Sequence, residues 1–296
     1  MSKLDLIIIG AGPGGYCAAV RASQLGLKTA VIEKDNPGGV CLNWGCIPSK
    51  NLIHQAELFH SLHEMEQVGV KIGRSGLNYS QVQAKSRQVV KTLTGGVASL
   101  LKKNKVNYIK GTAKVTGKGE VTVDGTKYKA KNIMVATGSR PMNIPGFEFD
   151  EELVLSSSGI LAMTELPKSI VILGAGAIGC EFAYIMNSFG VKVTLVEFAD
   201  HILPSEDFET TAVLARCFKR DGIEVLTKTK AKTLSKMADS VTVTIEGANG
   251  EQQITADKAL VVFGRIPNTQ GLGLQEMGVK LDERGYVQIA NYCQTH

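Results

Sequence analysis

Leu6-Ile-Ile-Ile-Gly-Ala-Gly-Pro-Gly-Gly15 sets four apolar residues against Gly10, Gly12, Gly14 and Gly15. An apolar run of this length, stopped by glycine, predicts a buried strand turning sharply into a helix. Residues 16–26 continue as an Ala-rich helix, and residues 29–33 return as a second strand ending on Glu33. In this strand-turn-helix setting each glycine has a task. The first makes the turn, the second lets a pyrophosphate approach, and the third packs helix on strand, with the helix N-terminus facing the phosphates. Glu33 is placed to accept hydrogen bonds from ribose hydroxyls.

The same pattern is written a second time. Residues 170–173 are apolar, Gly174, Gly176, Ile178 and Gly179 follow in the turn, and residues 192–197 form a strand ending on Glu197. The interval from first glycine to acid is 23 residues in both copies. Duplication predicts an α/β protein with two Rossmann-like, doubly wound nucleotide-binding domains. The expected division is 1–146 with 269–296 returning to it, and 147–268 for the second domain.

Between the copies, residues 79–104 have the spacing of a long helix, with Ser80 as cap and Val89, Val90, Leu93, Val97, Leu100 and Leu101 on its apolar side. Short alternating strands over 106–129, broken by glycines, predict a small antiparallel insert before residues 133–136 rejoin the first sheet. A second small sheet is expected from 234–245 with 254–262.

Composition narrows the function. The 296 residues carry a net charge of +5, but the basic residues are scattered without interleaved aromatics, which argues against nucleic acid as a partner. No apolar run reaches the roughly 18 residues of a membrane span, and no charged leader precedes the first strand. The expectation is a soluble cytoplasmic protein, or a mitochondrial matrix one if the chain is a processed eukaryotic product. Of six cysteines, Cys17, Cys180 and Cys217 are expected in or near the core, and Cys293 carries no signal.

Cys41 and Cys46 are different. They stand five residues apart, just downstream of the first fingerprint. On a regular helix that spacing separates Cα atoms by about 8.6 Å, whereas a disulfide wants less than about 7 Å. If the two pair, the segment around Gly45 and Pro48 must be a distorted loop entering a helix, with Cys46 at the helix's positive end, where a thiolate is favoured over a thiol.

Glu197 separates cofactors, because a carboxylate repels a 2′-phosphate and residues 197–200 hold no arginine; NAD is expected over NADP. Two nucleotide sites and a dithiol form a chain of carriers. Hydride from nicotinamide needs a two-electron relay before it reaches sulfur, and flavin is the natural one.

Gly39-Val-Cys-Leu-Asn-Trp-Gly-Cys-Ile-Pro-Ser-Lys50, Ala136-Thr-Gly-Ser-Arg-Pro141 and Gly264-Arg-Ile-Pro-Asn268, in this order around two fingerprints, resemble the flavoprotein pyridine nucleotide-disulfide oxidoreductases. Within that family the chain is most similar to the dihydrolipoamide dehydrogenases, over essentially its whole length. The resemblance implies FAD in the first site and NAD in the second, on opposite flavin faces. It implies Cys41 as the interchange thiol and Cys46 as the thiolate in charge-transfer contact with flavin. Lys50 then matches the lysine near flavin N5, and Glu181 its ion-pair partner. Ala113, Thr137, Gly138 and Ser139 would meet FAD, and Gly264 NAD. The implied partner is the lipoyl domain of a 2-oxoacid dehydrogenase complex, and the complete protein would be a homodimer.

The chain departs from the family at two places. Trp44 stands where relatives often carry a smaller apolar residue. Beyond His296 the family continues with the strand that completes the FAD site and a C-terminal interface domain supplying a His/Glu acid-base pair. A truncated chain short of full turnover is therefore expected. Two alternatives stay open: a reductase of another disulfide or metal-thiol substrate, and a non-catalytic nucleotide-binding or redox-sensing fragment. His54, His60 and His63, within the helix after the dithiol, lack the cysteine or carboxylate that would complete a metal site and are expected on its surface.

Overall fold

The computed structural model describes residues 4–71 and 76–295, apart from the side chain of His63. In chain order its elements are β1 (Leu4–Ile9), α1 (Pro13–Gln24), β2 (Thr29–Glu33), α2 (Gly39–Trp44), α3 (Cys46–Gln67), α4 (Tyr79–Lys103), β3 (Asn107–Lys110), β4 (Ala113–Gly117), β5 (Glu120–Val123), β6 (Thr126–Val135) and β7 (Ser139–Pro141). They continue with β8 (Val154–Leu155), α5 (Gly159–Ala162), β9 (Ser169–Leu173), α6 (Ala177–Ser188), β10 (Lys192–Val196), α7 (Phe208–Arg220), β11 (Glu224–Leu226), β12 (Lys230–Lys236), β13 (Val241–Gly247), β14 (Gly250–Ala256), β15 (Lys258–Val261) and β16 (Arg265–Pro267). Among the described residues no helix is long and apolar enough to cross a membrane.

The chain divides into two compact units. One comprises Met1–Ile47, Val89–Arg140 and Arg265–His296, the other Pro48–Gln88 and Pro141–Gly264. Each is built on a mostly parallel α/β sheet carrying an antiparallel extension or layer.

In the first unit the sheet order is β3-β2-β1-β6-β5-β4. β1 is apolar on both faces because both are covered, as parallel strands require. Ile7 and Ile9 face Val115, Val121 and Val123 of the antiparallel layer. Ile8 faces Ala19 of α1 and Val97 and Leu101 of α4. The alternation of a strand thus feeds two cores from three consecutive isoleucines.

The antiparallel insert is smaller than expected. β3 is not part of it but pairs in parallel with β2, from Ala30 opposite Asn107 to Glu33 opposite Lys110. Gly111, at φ +152°, ends that strand where a Cβ would overlap the Asp124 carboxylate. β6 is one continuous strand: its first part pairs antiparallel with β5 and its second part parallel with β1.

The second unit repeats the plan with a parallel sheet ordered β11-β10-β9-β15-β8 and a separate antiparallel sheet β12-β13-β14. Ile170 and Ile172 of β9 face the helical side with Phe182, while Val171 and Leu173 face Val241, Val243 and Ile245. The expected run 254–262 is two strands, β14 and β15, in different sheets. Asp257 makes the corner, its carboxylate accepting from Lys168 N at 2.7 Å and from Ser169 Oγ at 3.2 Å.

α4 spans the predicted helix, but its cap is Asn78 rather than Ser80: Asn78 Oδ1 accepts from Ser80 N at 3.1 Å and Ser80 Oγ at 2.7 Å. Asparagine before the first helical residue satisfies a donor that the helix cannot. Val90, Val97 and Leu101 are buried, whereas Leu93 and Leu100 on the expected apolar side are exposed.

Candidate functional site: two nucleotide clefts and a dithiol segment

Both glycine turns have the geometry their sequences demand. Gly10 adopts φ +101° and Gly174 φ +106°, a region that favours glycine. Gly15 packs so closely that a Cβ would overlap the Gly10 carbonyl, and Gly179 stands in the same relation to Gly174. The third glycine of each copy therefore seats helix on strand. Around Gly14 and Gly176 a Cβ would meet nothing within 4 Å, which leaves the helix ends open to a ligand. Neither α1 nor α6 has a side-chain N-cap, so their first-turn N–H groups remain available to phosphate.

The acids are held alike. Glu33 accepts from Ala11 N at 2.7 Å and Asp35 N at 2.9 Å; Glu197 accepts from Ala175 N at 2.7 Å and Ala199 N at 2.8 Å. Each carboxylate is oriented by the glycine loop on one oxygen and by its own turn on the other. Lone pairs remain on both oxygens for a ribose.

A cleft of about 350 Å³ in the first unit is lined by Gly10, Glu33, Lys34, Thr112, Ala113, Thr137, Arg140, Asn268 and Gln270, among others. A second, of about 630 Å³, is lined by Gly174, Gly176, Ile178, Glu197, Phe198, Pro204, Lys230 and Gly264, among others. The structure thus gathers the first-site candidates Gly10, Glu33, Ala113 and Thr137, and the second-site candidates Gly174, Gly176, Ile178, Glu197 and Gly264. Gly15 and Gly179 are spent on packing instead. Open glycine turns, uncapped helix ends and tethered carboxylates fit two dinucleotides.

The dithiol segment is clamped to the first turn. Gly38 N donates to Ala11 O at 2.8 Å, and Gly39, at φ +58°, lies where a Cβ would stand 2.6 Å from Gly12 Cα. Buried Asn43 fastens the start of α2 from inside, its Nδ2 donating to Pro37 O at 3.2 Å and Gly39 O at 2.9 Å. Cys41 is half-buried on α2 and Cys46 is exposed as the first residue of α3.

Between them the helix breaks at one residue. Gly45 has φ −158° and ψ −115°, and a Cβ there would lie 3.1 Å from Val40 O. The expected distortion is therefore confined to Gly45. Pro48 sits within the first turn of α3, where its missing N–H costs no hydrogen bond. Cys46 occupies the N-terminal end of a 22-residue helix.

Two quoted motifs interlock. β7 pairs with β16. Thr137 Oγ1 donates to Asn268 O at 2.7 Å, and Asn268 Nδ2 returns a bond to Thr137 O at 2.9 Å. Gly138 offers its carbonyl to Asn268 N at 2.9 Å, and Arg140 spans Pro267 O and Asn268 Oδ1, both at 3.1 Å, and Gln270 Oε1 at 3.2 Å. Ser139 is taken by Arg265. Gly138 and Ser139 are therefore framework of the first cleft rather than part of its lining.

In the second unit Lys50 Nζ donates to Glu181 Oε1 at 2.5 Å, an ion pair between α3 and α6 across 131 positions of sequence. Cys180, beside it, is buried, and burial followed by the charges of Glu197 and Glu181 pushes its thiol up to about 12. Cys217 is half-buried, but Cys17 is exposed on α1, contrary to expectation. It lies on the outer side of a helix whose inner face is filled by Ala19 and Ala22. His54 lies 3.8 Å from Glu57 on α3.

Sequence reading passed over Asn43, Arg140, Asn268 and Arg265 as individuals although it quoted the motifs containing them. Their signal lies in the motif itself: a polar side chain inside a short apolar segment must find backbone partners when buried.

Comparison with known proteins agrees with this geometry. A family model described as pyridine nucleotide-disulphide oxidoreductase matches residues 4–296. The chain is 45% identical over 297 residues to the dihydrolipoyl dehydrogenase of Thermus scotoductus, covering 100% of the chain and 64% of that protein. It is 43% identical to that of Geobacillus stearothermophilus, covering 99% of the chain and 63% of the relative. Among solved structures, LpdA from Mycobacterium tuberculosis superposes with a TM-score of 0.90 at 27% identity, over 99% of this chain and 65% of the other. The HOCl-induced flavoprotein disulfide reductase RclA from Escherichia coli gives 0.84 at 28% identity, over 98% and 63%. The chain thus spans somewhat under two thirds of the length of these relatives. It belongs to the pyridine nucleotide-disulphide oxidoreductases, a family of enzymes whose cofactors are FAD and NAD.

Proposed function

We propose that this chain carries the electron-transfer part of a dihydrolipoyl dehydrogenase, passing two electrons from a dithiol through Cys41 and Cys46 to FAD and on to NAD. The observation that carries this reading is the clamp of the dithiol segment onto the first glycine turn, Gly39 against Gly12 and Gly38 N to Ala11 O. It ties the sulfurs to the turn that would hold one dinucleotide, in the same compact unit.

In this reading FAD takes the first domain, residues 1–146 with 269–296, on Gly10, Gly12, Gly14, Glu33, Ala113 and Thr137, with Gly15, Gly138 and Ser139 as the framework behind them. NAD takes residues 147–268, on Gly174, Gly176, Ile178, Glu197 and Gly264, with Gly179 seating the helix behind the turn. Bound flavin supplies the two-electron carrier that sulfur and nicotinamide need between them. The chain's own residues set the sulfur chemistry. A substrate thiolate attacks Cys41 of the disulfide, forming a mixed disulfide and releasing Cys46 as thiolate at the N-terminal end of α3. The second substrate thiol then displaces Cys41, closing the substrate disulfide.

Glu197 selects NAD: with both oxygens drawn to backbone N–H groups it keeps its charge fixed against a 2′-phosphate. The partner is a lipoyl domain of a 2-oxoacid dehydrogenase complex, and the complete protein is a homodimer. Anaerobic reduction of the flavin-loaded chain by NADH and by NADPH tests the cofactor assignment. Efficient reduction by NADH supports it. Faster reduction by NADPH would instead favour a reductase of another disulfide or metal-thiol substrate, and NAD binding without any flavin reduction a non-catalytic module.

A further inference from the structure

Arg140 is a half-buried cation in the wall of the first cleft, and its bonds go only to neutral groups. Its Nη1 donates to Pro267 O and Asn268 Oδ1, both at 3.1 Å, and its Nη2 to Gln270 Oε1 at 3.2 Å. Asn268 and Gln270 line the same cleft, so the fork is held at its surface. Nε–H and one N–H of Nη2 are left without an acceptor among the described residues, and no carboxylate there lies in ion-pair reach. Arginine does not shed its proton to escape such a position, so the charge needs a counterpart.

The rest of the cleft says which ligand that charge suits. Glu33, tied to Ala11 N at 2.7 Å and Asp35 N at 2.9 Å, serves ribose hydroxyls but repels a diphosphate. The glycine turn offers a diphosphate only the partial positive charge of a helix end. Lys34, the other cation of the lining, is exposed, where solvent and salt screen it. Arg140 is left as the full charge that is partly withdrawn from water. Its planar fork matches two phosphate oxygens at once, whereas a neutral ribose or base leaves the charge unanswered.

We propose that Arg140 is a cofactor-binding residue whose guanidinium, held by Asn268 and Gln270, supplies the counter-charge for the diphosphate of the flavin dinucleotide. This deepens the reading of the first cleft as the FAD site and rests on it. The work is divided between the two charged groups: Glu33 serves the ribose and Arg140 the diphosphate. Because three acceptors fix the fork before the ligand arrives, little side-chain freedom is lost on binding. A flexible ammonium in its place would have to be ordered first.

The test is displacement of FAD from the full chain by ADP and by adenosine, which differ only in the diphosphate. Flavin fluorescence anisotropy follows it, with NAD present to fill the second cleft. The parent is expected to prefer ADP over adenosine by about tenfold or more. In Arg140→Gln, FAD and ADP weaken about tenfold while adenosine stays within about twofold. Arg140→Lys keeps the charge without the fork and weakens ADP about threefold, as does Gln270→Ala, which removes one anchor only. Should Arg140→Gln fail to fold, Arg140→Lys and Gln270→Ala decide. ADP within about twofold of the parent in the folded variants would overturn the proposal, and so would an equal loss for adenosine, the mark of a purely structural clasp. A parent chain that binds no FAD sinks the reading of the first cleft and this proposal with it; a parent that binds FAD beside unaltered variants sinks the proposal alone.

Discussion

Gly39 rests on Gly12, so closely that a Cβ on Gly39 would stand 2.6 Å from the Gly12 α-carbon. Two glycines far apart in sequence thereby bring the dithiol segment to the dinucleotide turn. Gly39→Ala must move backbone and also strain a residue at φ +58°. A loss of about 2–4 kcal/mol in unfolding free energy and weakened flavin retention are expected. Gly26→Ala, at φ +83° with nothing within 4 Å, is the control for conformation alone and should cost only about 1 kcal/mol. Equal losses in the two variants, measured by denaturant unfolding, would show that the contact contributes nothing.

Glu197→Gln keeps the shape of the side chain and one acceptor for the loop while removing its charge. Its preference for NADH over NADPH, taken as the ratio of dissociation constants, should fall by about tenfold or more. A ratio unchanged from the parent would mean that charge at this position does not select the nicotinamide.

Lys50 and Glu181 meet at 2.5 Å although the Lys50 side chain is 61% exposed, so solvent screens the pair and its weight in stability is small. Its weight in function is expected to be larger, because the partner fixes where the ammonium points. Glu181→Gln should leave the melting temperature nearly unchanged and slow NADH-driven flavin bleaching by about tenfold, with Glu181→Asp intermediate. A stopped-flow rate matching the parent would show that the pair plays no part in flavin reduction.

Asp150 predicts an acid limit for the second unit. Burial alone would raise its carboxyl, but the Val154 N–H, Lys236, and the Glu152 and Leu153 N–H groups outweigh it and bring it down to about 2. A carboxyl held below its unfolded value of 3.8 contributes stability that is fully present above that value and lost as pH falls through about 2. Because the residue is exposed, solvent screening discounts the contribution to on the order of 1 kcal/mol. Asp150→Asn should lose that much at pH 7 and flatten the decline between about pH 4 and 2, as followed by urea unfolding.

The two glycine turns, their acids and both parallel sheets were legible because each demand is local: a run of buried isoleucines, a turn that only glycine fits, and an acid at a strand end. The interval of 23 residues from Gly10 to Glu33 and from Gly174 to Glu197 carried the duplication. What stayed hidden depends on tertiary pairing. β3 resembles the antiparallel strands that follow it and joins the parallel sheet only because β2 offers it an edge. Nothing in the run 254–262 announces that Asp257 is drawn to Lys168 and Ser169, nearly ninety positions away, and so splits it between two sheets. Arg265 likewise has no local signal, since its partner Ser139 lies 126 positions away and only the fold brings the two together.

Two-electron reduction of the flavin-loaded chain, followed by visible absorption under anaerobic conditions, tests the central claim most directly. The account predicts a long-wavelength thiolate-to-flavin band that is present in the parent chain and absent from Cys46→Ser. A parent chain that binds flavin, accepts two electrons and shows no such band would contradict it.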